Sequence, residues 1–113
     1  MDLQLAGKRA LVTGSNSGIG RAIALALAAE GVEVVVHGRR QPESEEVARS
    51  IRDAGGRAVV AIGDLADDRQ AREVAETALA AFGGIDILVA NAGAFPPTPV
   101  LESEAADWLK LYD

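Results

Sequence analysis

The feature that most constrains this chain is a glycine-rich turn, Thr13-Gly14-Ser15-Asn16-Ser17-Gly18-Ile19-Gly20, set between a short apolar run and a stretch of helix-forming residues. Upstream, Ala10, Leu11 and Val12 give the run from Arg9 to Thr13 the character of a strand. Downstream, Ala and Leu dominate from Ile19 to Glu30. Ile19, Ile23 and Leu27 recur there as one apolar stripe, and Gly31 stands where a helix cap belongs. Each glycine of the turn has its own use: Gly14 permits a sharp exit from the strand, Gly18 lets the backbone approach a pyrophosphate, and Gly20 allows close packing of the helix. The amides of the first helical turn, at the positive end of the helix dipole, then face an anion. The structural alternative, a turn that merely connects two elements, stays open on the glycines alone.

The alternation continues along the chain. Val32 to His37 reads as a second strand, β-branched and so continuously apolar that both of its faces must be buried. Pro42 opens a helix with Val47, Ala48, Ile51 and Ala54 on one face, closed by Gly55 and Gly56. Ala58 to Ile62 is a third strand. Asp67 or Asp68 caps a third helix lined by Ala71, Val74, Ala75, Ala78, Leu79 and Phe82, and Gly83-Gly84 stops it before a fourth strand, Ile85 to Ala90. A loop with Pro96, Pro97 and Pro99 follows, and Ser103 is placed to cap a last helix. Strands alternating with helices predict an α/β fold: a Rossmann-type, doubly wound parallel sheet of order 3-2-1-4, formed by residues 1–113 as one domain. Ligands in such sheets bind beyond the carboxyl ends of the strands, where the order reverses. Here that is between the first and fourth strands.

Composition narrows the partners. With 11 basic and 17 acidic residues the formal charge is −6, and the charges are scattered, which argues against nucleic acid and anionic membrane. The sequence has no Cys, which removes thiolate metal sites and cysteine nucleophiles. No apolar stretch is long enough to span a bilayer, so a soluble, cytoplasmic protein is expected.

A second candidate site closes the second strand. A dinucleotide fold commonly places an acidic residue there, on the adenosine ribose hydroxyl. This chain has His37-Gly38-Arg39-Arg40 instead, and a guanidinium can grip a 2′-phosphate in bidentate fashion. The pattern favours NADP(H) and leaves NAD(H) open. The competing reading makes Arg39 and Arg40 solvated residues at a helix start, and His37 a packing residue at the strand end.

Taken together, Thr13-Gly14-x-x-x-Gly18-Ile19-Gly20, Asp64-Leu65 after the third strand and Asn91-Ala92-Gly93 after the fourth resemble the short-chain dehydrogenases/reductases, in particular the 3-oxoacyl-(acyl carrier protein) reductase-like branch. The resemblance covers essentially the whole chain. It implies that Gly14, Asn16, Ser17, Gly18, Ile19 and Gly20 contact adenosine ribose and pyrophosphate, that Arg39 takes the 2′-phosphate, and that Asp64 receives the adenine amino group beside the Leu65 backbone. Asn91, Ala92 and Gly93 would line the path to the nicotinamide ribose. Asp86 matches a position that the family uses structurally. One departure stands out: many NADP(H)-using relatives carry a basic residue where this chain has Ser17.

The resemblance also implies what is missing. The family's catalytic Ser and Tyr-x-x-x-Lys lie on later elements, and Tyr112, the one tyrosine, has no lysine four positions on. Trp108 resembles a family tryptophan shortly before a catalytic Asn. The chain is therefore expected to be the N-terminal, cofactor-binding part of an oxidoreductase that moves hydride between NADP(H) and a small carbonyl or alcohol substrate, inactive by itself. The apolar edge of the fourth strand would be covered by further chain, a second copy or a partner. Alternatives are a non-catalytic dinucleotide-binding or interaction module, and a methyltransferase-type sheet, for which an acidic residue would be expected in place of Gly38-Arg39.

Overall fold

Runs of Val, Ala and Leu too short for helices, separated by helix-length amphipathic segments, have one way to bury both faces of a sheet: helices must cover each side. The computed structural model, which describes residues 4–91, has this arrangement. Its elements in order are β1 (Arg9–Val12), α1 (Gly18–Ala29), β2 (Glu33–Gly38), α2 (Gln41–Asp53), β3 (Ala58–Ile62), α3 (Asp68–Ala81) and β4 (Ile87–Val89). All strand pairs are parallel, in the order β3-β2-β1-β4. In register, Leu11 lies between Val35 and Leu88.

The two-residue period of the strands sorts the core into two halves. Ala10, Val12, Val34 and Val36 face α1 and α2, where they meet Ala24, Val47, Ala48 and Ile51. Leu11, Val35 and Ala61 point the other way, to Ala71, Val74 and Ala78 of α3. β2 is buried from Val34 to Gly38, as its unbroken apolar run predicts. Gly31 and Gly55 follow α1 and α2 with φ of +85° and +92°, the left-handed geometry that ends a helix.

Several expectations are corrected. Ile19 does not belong to an inward stripe with Ile23 and Leu27. It is 73% exposed, and Gly20 and Ala24 are the residues of α1 that are buried instead. Leu79 does not line the core side of α3; one residue past Ala78 it is rotated off that face and is 51% exposed. Ala54 is the C-cap of α2 and is exposed, so the buried face consists of Ser44, Val47, Ala48 and Ile51. The fourth strand pairs only over Ile87–Val89, since Ile85 and Asp86 are spent on the approach from Gly83-Gly84. Ser103 and the proline loop lie outside the described residues.

Candidate functional site

At the carboxyl ends of the strands, three loops are tied into one rim. Ser15 is fully buried: its Oγ donates to Val12 O at 2.7 Å and accepts the His37 N–H at 2.9 Å, while its own N–H donates to His37 O. These bonds fasten the β1–α1 turn to the end of β2. The imidazole of His37 is 2% exposed and lies between Gly14, whose N–H donates to Nδ1 at 2.9 Å, and Gly63, whose carbonyl is 2.9 Å from Nε2. Because a carbonyl only accepts, Nε2 carries the proton and the ring is neutral. Burial, with the nearby charge of Arg39, holds the His37 pKa below its usual value against the opposing effects of the Gly63 carbonyl and Asp64. Gly63 N–H donates back to Gly38 O at 3.1 Å. On the other flank, Thr13 N–H donates to Val89 O, and Asn91 returns its N–H to Thr13 Oγ1 at 2.9 Å and its Nδ2 to Gly14 O at 3.3 Å.

Two glycines are required by contact. A Cβ on Gly20 would collide with the Gly14 carbonyl oxygen and lie 2.8 Å from its carbon, so α1 could not sit this close to the turn with any other residue. A Cβ on Gly38 would run into Ser44 Oγ and the Asn16 side chain, at 2.8 Å from Asn16 Cβ. Gly18 differs: its φ is +59°, yet the space where a side chain would sit is open.

The starts of α1 and α3 differ in how they are capped. Asp67 caps α3, its carboxylate accepting the Gln70 N–H at 3.0 Å, and this bond keeps the Asp67 pKa low. The anion position at that helix start is thus filled from within. Ser17, at the corresponding position of α1, makes no side-chain cap bond, and the first turn of α1 has no acidic residue. Ser17, Gly18 and Ile19 at this start are exposed. An anion from outside can take the first-turn amides.

The remaining expected residues fall around this opening. Asn16 packs beside Gly38, immediately before exposed Arg39. Asp64 is half-buried; its N–H donates to Gln70 Oε1 at 2.8 Å and its Oδ1 accepts the Ala66 N–H at 2.9 Å, so the carboxylate shapes its own turn. The Leu65 side chain is 5% exposed, in the core under α3. Gly14, Gly20 and Asn91 meet directly, whereas Ala92 and Gly93 lie outside the described residues. Sequence reasoning passed over Ser15 and Gln70 and saw His37 only as a packing residue. A buried polar side chain at a strand end is the signal that could have flagged the first and last of these, since such groups must find partners. Asp86 is structural as expected: it receives Arg9 Nε at 2.9 Å and Nη2 at 3.0 Å, and the guanidinium draws its pKa down to about 2.

A parallel doubly wound sheet with an open, glycine-turned helix start at its switch point defines the dinucleotide-binding α/β class. A family model described as short chain dehydrogenase matches residues 8–113, and the chain belongs to that family. It is 42% identical over 105 residues to cis-4-hydroxycyclohexanecarboxylate dehydrogenase of Sinomonas cyclohexanicum, an alignment covering 92% of this chain and 42% of that protein. Among solved structures it is similar to L-sorbose reductase from Gluconobacter frateurii complexed with NADPH and L-sorbose, with a TM-score of 0.79, 38% identity, and coverage of 97% of this chain and 42% of that one. A 7α-hydroxysteroid dehydrogenase complexed with NADH is equally close in fold, with a TM-score of 0.79 and 35% identity over 94% of this chain and 41% of that one. The chain therefore spans roughly two fifths of the length of these relatives, 42% of the first. Among the described residues no helix is long and apolar enough to cross a membrane, and no cluster of His, Asp or Glu could hold a metal.

Proposed function

We propose that this chain supplies the coenzyme half of a short-chain dehydrogenase/reductase and that NADP(H) is its preferred coenzyme. The observation that carries the reading is the start of α1: no side chain caps it, no carboxylate guards it, and the space over Gly18 is open. Amides of Gly18, Ile19 and Gly20 bind the pyrophosphate, with Gly14, Asn16 and Ser17 flanking the adenosine ribose. Arg39 binds the 2′-phosphate from an exposed position next to Gly38. Asp64 accepts the adenine amino group beside the Leu65 backbone. Asn91, held by Thr13 and Gly14, begins the path that Ala92 and Gly93 continue to the nicotinamide ribose.

When bound, the nicotinamide supplies or accepts hydride from a small carbonyl or alcohol substrate. The sorbose and steroid relatives act within that chemistry. The outer edge of β4, where Leu88 is 40% exposed, receives further polypeptide or a second copy.

Calorimetric titration of the chain with NADPH and NADH tests this reading. Both should saturate, with NADPH the tighter. Arg39→Gln should weaken NADPH by about tenfold or more, the loss of a charge-assisted bidentate contact, and leave NADH nearly unchanged. Equal weakening of both coenzymes would remove Arg39 from the 2′-phosphate.

A further inference from the structure

We propose that His37 is a positioning residue for the coenzyme: its neutral imidazole joins the glycine turn to the β3–α3 turn and holds the two in the spacing that receives a dinucleotide. The proposal rests on the coenzyme reading above and adds a residue to it. Gly14 opens the turn that approaches the pyrophosphate, and Gly63 directly precedes Asp64, the residue assigned to adenine. His37 contacts both, through opposite ring nitrogens at 2.9 Å each, from a site 2% exposed. The Gly14 amide is thereby given a partner in the protein and is fixed in direction. Without an acceptor there, a part-buried N–H would seek another partner, and the turn, which has φ of +63° at Gly14, would be free to shift.

The arrangement works only for the neutral ring. A second ring proton would set Nδ1–H against Gly14 N–H, two donors facing each other, and would leave a charge in a buried position. Of the charged groups acting on the ring, Arg39 opposes that proton and Asp64 favours it. The turn from Thr13 to Gly20 carries no ionisable side chain. Coenzyme affinity should therefore fall on acidification, below the ordinary histidine value of 6.5.

Dissociation constants for NADH and NADPH, measured from about pH 8 to about pH 5.5 for the wild type, His37→Asn and His37→Phe, provide the test. NADH is the more telling, because the 2′-phosphate of NADPH itself takes up a proton near about pH 6. The wild type should lose about tenfold in NADH affinity as the ring takes up its second proton, the expected effect of orphaning one amide. His37→Asn retains an acceptor near Nδ1 and should bind close to wild type at the alkaline end, without the acid loss. His37→Phe should bind about tenfold more weakly throughout. A wild-type NADH affinity that stays flat through the pH at which the His37 ring itself takes up its second proton, read from the ring 15N shifts, or a folded His37→Phe that binds like wild type, would overturn the proposal. Should His37→Phe not fold, 15N spectra of the wild type decide: Nδ1 should be unprotonated at neutral pH and the Gly14 amide should titrate with the ring, and a protonated Nδ1 or an unmoved Gly14 would refute the link. Wild-type protein that binds neither coenzyme, even with the ring linked to Gly14, would mark failure of the coenzyme reading itself, and the positioning role would go with it.

Discussion

Single residues decide whether the rim of the sheet can exist. Gly20 and Gly18 illustrate two different demands on the same amino acid. At Gly20 the constraint is contact, since a methyl group would occupy the space of the Gly14 carbonyl, which is backbone and cannot swing away. Gly20→Ala should lower unfolding stability by about 1–3 kcal/mol, the usual range for overpacking. At Gly18 the constraint is conformational, with φ at +59° and open space around it, so Gly18→Ala should cost only about 1 kcal/mol through strain. Urea denaturation of the two variants checks the order; a larger loss at Gly18 would mean that α1 does not pack on the turn as described.

At the scale of elements, β1 and β4 are clamped at both ends. At the carboxyl ends Thr13, Val89 and Asn91 exchange hydrogen bonds, and at the amino ends Arg9 holds Asp86 through side chain and backbone. Asp86 titrates at about 2 in the fold against an ordinary 3.8, so the unfolded chain binds the proton more readily. Its contribution to stability is complete above the ordinary value and disappears as pH falls through the folded one. Asp86→Asn should lower stability at neutral pH and flatten the decline between 3.8 and about 2. Thermal unfolding followed over that range measures it, and an unchanged acid limb would show that the pair contributes nothing.

Elements were readable from the sequence wherever one local rule dominated. The β-branched run of β2, the left-handed glycines after α1 and α2, and Asp67 before α3 each act within a few residues and appear where expected. The exposure of Ile19 and Leu79 was not readable, because it depends on how far a helix overhangs the sheet and how it is rotated. The same holds for the site: Gly14, Gly20, Asn16 and Asn91 came from a motif, but the links through Ser15, His37 and Gln70 join loops distant in sequence, and only the folded chain brings them together.

On the scale of the whole molecule, parallel pairing in the order β3-β2-β1-β4 reverses the strand order at β1, where the turn into α1 and Asn91 after β4 meet. The strand order thus sets the rim at the carboxyl ends, and the local bonds of Ser15, His37 and Thr13 tie it together. The contrast between a self-capped α3 and an uncapped α1 leaves the α1 start open to an anion. The most direct test is an amide 1H–15N titration of the chain with NADPH. The resonances of Gly18, Ile19 and Gly20 should move together and saturate, while that of Ala78, buried in the last turn of α3, should stay in place. Saturable NADPH binding that leaves the three α1 amides unmoved, or no binding at all, would contradict the account.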